Sequence, residues 1–220
     1  MDGVKKLAKY LKVGAEDSEK LNILAQTVYH VEQSLKPPHI TKPFDYGSSY
    51  QKLLKALSAR LSEEGMQRIC AALAKFRPSL VVHLRTLEEN ALVLAEYSFQ
   101  HIVHELQRIL LLTGAPYLLW RRTGEVAWVS HAFTVLTGWP LTQAIERSVF
   151  ELLDERAIIK YWEHFAPCVV ERDAGNFRLD CALAKPDGKN IAGTMWITVK
   201  KDIFDIPLVI MGCFLPTLCM

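Results

Sequence analysis

No two of the five cysteines, Cys70, Cys168, Cys181, Cys213 and Cys219, stand at C-x-x-C spacing, and none combines with histidines at zinc-ligand spacing. An odd count without a signal peptide reads as reduced, intracellular thiols that serve as small buried hydrophobes. A surplus of one charge is also missing. The chain has 26 Lys+Arg against 24 Asp+Glu, a net charge of +2, with the signs interspersed. Gripping duplex nucleic acid takes clustered basic charge, so this segment is not expected to touch nucleic acid directly. A long apolar run is absent too. The most apolar stretch, Ile206 to Met220, is broken by Pro207 and Pro216 and falls short of the roughly 20 residues of a membrane span. No membrane contact is expected, and that stretch reads as a buried strand. The ending Thr-Leu-Cys-Met puts its cysteine in the wrong place for prenylation. There is no phosphate loop, His-Glu-x-x-His, dinucleotide glycine motif or Gly-x-Ser-x-Gly elbow. Ser130 beside His131 is adjacency and not a triad. Asp202 and Asp205 read as turn residues. The chain is therefore not expected to be an enzyme.

What is present is a folded-protein composition, 50% hydrophobic and 23% charged over 220 residues, enough for a domain of ordinary size with a helical extension. The first half is helical in pattern. Residues 1–43 form a helical segment and a proline-rich linker: Val4, Leu7 and Leu11 fit one short helix, Leu21 to Leu35 a second, and Pro37-Pro38 ends it. Residues 44–113 form a helical region. Ser48 with Gln51 suggests a capping box before Tyr50, Leu53, Leu54, Leu57 and Leu61. Gly65 suggests a break before Met66, Ile69, Leu73 and Phe76, and Arg77-Pro78 a stop. Thr86-Leu87-Glu88-Glu89 is a second capping box, opening a helix from about Glu88 to Leu112. There Leu92, Phe99 and Leu106 recur every seven residues, with Ala95, Ile102 and Ile109 between them. Such a stripe can be a coiled-coil seam. Val103 and Leu110 widen it, which favours packing on the helix's own domain.

From 114 to 220 the pattern changes. Tyr117 to Arg121 and Val126 to Val129 are strand-like around an Arg122-Thr123-Gly124 turn. Ser130 caps a short helix ended by Gly138, and small helices run from Leu141 to Leu153. Asp154 caps a longer helix with Ile158, Ile159, Trp162 and Phe165 on its apolar face and Pro167 as its limit. Asp187-Gly188 then joins Asn176–Ala184 to Asn190–Lys200 as a hairpin. The second arm puts Met195, Ile197 and Val199 on one face and Trp196, Thr198 and Lys200 on the other. Leu208 to Phe214 is the last strand. The expected class is α+β: a five-stranded antiparallel sheet with helices on one face, preceded by a helical N-terminal region. This order resembles a PAS domain.

Several longer stretches carry a more specific resemblance. They are Phe44-Asp45-Tyr46, Ala74 to Leu80, Trp120-Arg121-Arg122-Thr123-Gly124-Glu125, Tyr161 to Ala166, and Lys201 to Pro207 leading to Gly212-Cys213-Phe214-Leu215-Pro216. Together they resemble the C-terminal region of fungal zinc binuclear-cluster transcription regulators of gluconeogenesis and non-fermentable carbon use. That resemblance implies a nuclear regulator. The six cysteines that hold the family's two zinc ions are absent here, so zinc belongs only to a cluster this chain lacks, and no metal site is expected in it.

Two kinds of site follow as expectations. A PAS sheet with its helices commonly encloses a small cavity, for which Phe133, Leu136, Trp162, Phe165, Cys181, Met195 and Ile197 are the candidate lining; the same residues can equally fill a core. A flavin adduct is not expected, because Ser148 to Arg156 contains no cysteine. His164 is the candidate haem ligand, but its place between Trp162 and Phe165 puts it toward solvent, and no cofactor is expected. The interaction candidates are the stripe Leu92, Phe99, Leu106, Ile102 and Ile109, with Trp128 and Trp196 on the sheet. The expected function is a regulatory or dimerising module with a protein partner or a second copy. The alternative is a small-molecule sensor, for a metabolite or, less in keeping with His164, for haem.

Overall fold

The computed structural model describes residues 40, 42–87, 89–171, 175–202 and 205–217. The helices expected from Val4 and Leu21 lie outside them, as does most of the proline-rich linker. Residues 40–220 make one compact unit.

The hairpin at Asp187-Gly188 organises the sheet. Gly188 takes φ +80, a left-handed value open to glycine at little cost, and the turn closes through Lys185 N–H to Lys189 O at 2.8 Å. It joins β3 (Asn176–Ala184) to β4 (Asn190–Lys201) in unbroken antiparallel register from Ala184↔Asn190 to Asn176↔Thr198. Burial alternates along both arms. Leu179, Cys181, Leu183, Met195, Ile197 and Val199 are buried, while Arg178, Asp180, Trp196 and Lys200 are exposed. β1 (Tyr117–Trp120), β2 (Val126–Val129) and β5 (Pro207–Pro216) complete the sheet in the order β2-β1-β5-β4-β3. β5 is central and antiparallel to both neighbours. Its Ile210 and Phe214 join the core beneath the helices, and Leu208 and Val209 join a second core on the opposite face. Covering on both faces explains why this strand reads as a continuous apolar run.

Helices of the C-terminal part lie on one face. Ser130 caps α4, whose Phe133 amide it accepts at 3.2 Å, and Gly138 at φ +79 ends it; in chain order α1 (Tyr46–Arg60), α2 (Glu63–Thr86) and α3 (Glu89–Leu110) precede α4 (His131–Thr137). α5 (Leu141–Ile145) and α6 (Val149–Leu152, with a Ser148/Glu151 capping box) follow. α7 (Glu155–Val170) is capped by Asp154 and turns Ile158, Trp162 and Phe165 inward. α1 and α2 pack outside this layer, with Phe76 of α2 meeting Phe165 of α7 edge to face at 5.8 Å. α3 crosses the other face of the sheet, where its Phe99, Val103 and Leu110 meet Leu119, Leu208 and Val209.

Five local readings are corrected. Pro78 does not stop α2, and Pro167 does not stop α7. Each proline is exposed, and the carbonyl freed by Pro78, that of Ala74, belongs to an exposed residue that water can satisfy. Meanwhile Ile69, Leu73, Phe76 and Leu80 keep α2 docked across the proline. Asp45, and not Ser48, caps α1, accepting from the Ser48 amide at 3.1 Å. The break before α2 falls at Leu61-Ser62, with Gly65 inside the first turn, its amide bonded to Ser62 Oγ at 3.2 Å. Thr86 ends α2 instead of opening α3, and Glu88 lies outside the described residues.

Candidate functional site

The β1–β2 turn aims two arginines into the protein. Gly124 has φ +95, and a Cβ there would lie 2.5 Å from the Phe150 ring, so both backbone and space demand glycine. The turn closes through Gly124 N–H to Arg121 O at 2.7 Å and Arg121 N–H to Glu125 O at 2.9 Å. This places Arg121, Arg122 and Thr123 in buried surroundings, unusual for charged groups and affordable only when they are partnered.

Arg121 is partnered on every side. Its two terminal nitrogens each bond a carboxylate oxygen of Glu96 on α3 at 2.7 Å, the fork geometry that suits guanidinium. The ring of Phe44 lies 3.9 Å from the guanidinium carbon and that of Phe99 3.6 Å. Its Nη1 also donates to Tyr46 Oη at 3.3 Å. Arg122 lies 3.4 Å over the Tyr46 ring and donates to Pro207 O at 3.2 Å. Its Nε has no hydrogen-bond partner among the described residues, and the residue borders a void of about 30 Å³ that Glu96 and Asp202 also line. Asp202 closes the β4–β5 turn by accepting the Ile206 amide at 2.9 Å. Three sequence motifs far apart in the chain, Phe44-Asp45-Tyr46, the Arg121-Arg122 turn and Lys201 to Pro207, thus meet at one clamp. It fastens α3 and the start of α1 to the sheet.

Beside the clamp, α1 and residues 145–151 border a cleft of about 480 Å³. Leu53, Leu57 and Phe150 are among its apolar walls, and Lys52, Glu125 and Arg147 supply charge. Arg60 spans the same junction, donating to the carbonyls of Phe150 and Leu153.

The expected cavity residues lie in the core. Phe133, Trp162 and Met195 are fully buried, as are Phe165 and Ile197 within 1%, and Leu136 packs against them. Trp162 stacks on Phe150 with centroids 5.3 Å apart and meets Phe165 edge-on at 5.7 Å, while Trp120 Nε1 donates to Tyr161 Oη at 3.2 Å. Burial pushes the Tyr161 hydroxyl up and the Cys181 thiol up to about 12. Of these seven residues, Cys181 borders a cleft of about 460 Å³ at the outer edge of β3, and none lines the cleft at α1. His164 is exposed and stacks on Phe177 at 5.7 Å.

The interface candidates divide. Phe99 is 1% exposed against the sheet, Ile102, Leu106 and Trp128 are half-buried around it, and Leu92 is half-buried too. Ile109 at 59% and Trp196 at 51% are open to solvent. Reasoning from sequence missed Glu96 and the role of Arg121. The available signal was a carboxylate at position 96, in helical step with Phe99, Val103 and Leu110, which puts an acid on the buried face of α3 and calls for a cation.

Residues 115–192 match the ERT1/acuK family PAS domain. The chain is 35% identical over 181 residues to the transcription activator of gluconeogenesis ERT1 of Coprinopsis cinerea, covering 81% of this chain and 34% of that protein. It is 35% identical over 193 residues to the protein of the same description in Komagataella phaffii, covering 87% of this chain and 40% of that one. The chain therefore spans well under half the length of these curated relatives. Among solved structures, a PAS domain from a two-component sensor histidine kinase is similar at 11% identity and a TM-score of 0.43, over 54% of this chain and 98% of that chain.

Proposed function

We propose that this chain, whose residues 115–192 belong to the ERT1/acuK family of PAS domains, is the regulatory, protein-interaction part of a nuclear transcription activator of gluconeogenesis. The relatives' names support that setting and a regulatory rather than catalytic role. The observation that carries the interaction reading is on α3. The clamp at Glu96 and the apolar contacts of Phe99, Val103 and Leu110 hold one side of the helix to the sheet. The other side leaves Leu94, Tyr97 and Ile109 about half exposed, at 53%, 49% and 59%, followed by Leu111 and Leu112. A series of open apolar side chains on a firmly held helix marks a contact surface. A second copy of the chain is the partner we favour, and Trp196, open on the part of the sheet next to β3, extends the same reading.

Native mass spectrometry of the purified chain tests it. A dimer without added mass is expected, and Leu94→Asp combined with Ile109→Asp should return it to a monomer that keeps its circular dichroism spectrum and whose melting temperature no longer depends on concentration. A dimer that survives both substitutions would make the α3 surface the wrong one.

The cleft of about 480 Å³ supports a second reading, a sensor for an amphipathic small molecule, because its volume falls among small-molecule sites and its walls combine apolar and charged groups. Retained mass on each subunit would favour that reading. It would place the ligand at the α1 junction and outside the ring-filled core.

A further inference from the structure

β3 is an outer strand, laddered with β4 on one side and, among the described residues, bridged on the other only near its end by Leu153 to Leu183. Its hydrogen-bonding phase can be read from both ends. Gly175 O accepts the Val199 amide at 2.7 Å and the Lys185 amide donates to Lys189 O at 2.8 Å, so odd-numbered residues bond toward β4. Ala182 points the other way. Its carbonyl accepts the Asp154 amide at 3.2 Å, and its amide donates to Asp154 Oδ1 at 2.7 Å. Even-numbered residues of β3 therefore turn both backbone groups outward. Asp154 satisfies Ala182, whereas no described residue meets the outward amides and carbonyls of Asp180, Arg178 and Asn176. The result is a strand edge with a built stop at one end and open pairing positions beyond it.

Charge surrounds this edge unevenly. α7 carries Arg156 and Lys160 one turn apart, both exposed. With Arg178 they border a cleft of about 460 Å³ along β3 that also includes Asp154 and Asp180. The two acids are already engaged. Asp154 caps α7 and holds Ala182, and Asp180 accepts from Arg178 at 3.0 Å and from Thr194 at 2.9 Å. Arg156 and Lys160 make no salt bridge among the described residues, although Lys160 is near enough to Asp180 to help hold its carboxyl below the usual range. The charged pair Arg178–Asp180 on the strand itself also discourages purely apolar strands from adding there.

We infer that the β3 edge accepts an extended acidic segment of a partner protein by strand addition. The segment pairs its backbone with Arg178 and Asp180, ends against Asp154, and sets carboxylates beside Arg156 and Lys160. This surface is on the sheet edge and does not involve the exposed side of α3, so it stands whether or not the chain dimerises.

The probe is a short labelled peptide alternating valine and glutamate, titrated into the full chain by fluorescence anisotropy, with the valine–lysine peptide and an oligothymidylate of equal charge as comparisons. The glutamate peptide should bind at least about tenfold tighter than the lysine peptide, and Arg156→Glu with Lys160→Glu should weaken it by about tenfold or more. Hydrogen exchange at the Arg178 and Asp180 amides should slow by about tenfold or more when the peptide is saturating. Arg178→Pro removes one outward amide that β4 does not use, and should abolish binding while the chain stays folded. Should that variant unfold, exchange on the unaltered chain decides alone. Absence of binding overturns the inference. So does binding without slowed amides, or oligothymidylate competing equally well, because either result reduces the site to a patch of positive charge.

Discussion

Glu96→Gln is the most informative single change. The amide keeps the shape of the carboxylate but removes its charge, leaving the Arg121 guanidinium without a counter-ion where the two side chains are only 8% and 9% exposed. Breaking one member of a buried pair costs about 3–5 kcal/mol. The rings of Phe44 and Phe99 remain at 3.9 and 3.6 Å and still favour the cation. Each such contact is worth up to about 2 kcal/mol when desolvated, so the loss should fall at the low end, about 3 kcal/mol. For a domain of this size that is a fall of about 6–12 °C in melting temperature. Urea unfolding followed by tryptophan fluorescence measures it, and hydrogen exchange along α3 shows whether the helix loosens first. The double change Glu96→Leu with Arg121→Met removes both charges and should cost less than the sum of the single changes, since no ion is left stranded. A loss below about 1 kcal/mol for Glu96→Gln, or additive costs in the cycle, would refute the clamp as an energetic unit.

Gly124→Ala meets both the φ of +95 and the Phe150 ring at 2.5 Å, and should destabilise by about 3 kcal/mol in the same urea assay. Asp154→Ala loses the α7 cap at 3.3 Å and the Ala182 bond at 2.7 Å, a cost of about 2 kcal/mol by thermal melting. Among the described cysteines, thiol labelling should modify exposed Cys70 first, with Cys168 and Cys181 protected until the chain unfolds. Burial raises the Cys181 pKa from 9.0 to about 12, so between those values the folded chain keeps a proton that the unfolded chain releases. The stabilisation is complete below pH 9.0 and is lost as pH rises toward about 12, and Cys181→Ala should flatten the alkaline slope of stability.

The parts of the fold that could be read from sequence are those set by neighbouring residues. Asp187-Gly188 fixes its hairpin through one left-handed glycine, and Ser130 and Asp154 cap their helices through a side chain that reaches three residues ahead. Alternation in β4 reports its two faces because one lies under helices and the other does not. Pro78 and Pro167 misled because their local cost is outweighed by contacts supplied from other elements, Phe165 against Phe76 among them. The stripe on α3 was visible, but its destination was not: heptad spacing describes equally a seam with another chain and a bed on the helix's own sheet. Glu96 and Arg121 are separated by 25 positions, and nothing local ties a carboxylate on a helix to an arginine in a later turn. The motifs around Arg121 and Phe44 stood out as wording without a role until the fold brought them together.

The placement of that clamp bears on how the helix could transmit a signal. An apolar pair of similar volume would often hold α3 as firmly as Glu96 and Arg121 do, since desolvation offsets much of the attraction between buried ions. The ion pair adds direction instead: two parallel bonds and two ring faces allow one orientation of α3 on the turn. Ile109 lies 13 residues beyond Glu96, about 20 Å along the same helix at the usual rise. On the proposed reading, a partner that covered the exposed end near Ile109 and Leu112 would pull on a helix that Arg121 seats at Glu96. Sliding that helix by one residue would separate Glu96 from Arg121 and leave both charges buried and unpaired, whereas Phe99, Val103 and Leu110 could find new apolar neighbours. Under the proposed interaction reading, such a clamp would favour discrete positions of α3 over continuous sliding, the property a helix needs to report contact at one end as a change at the sheet.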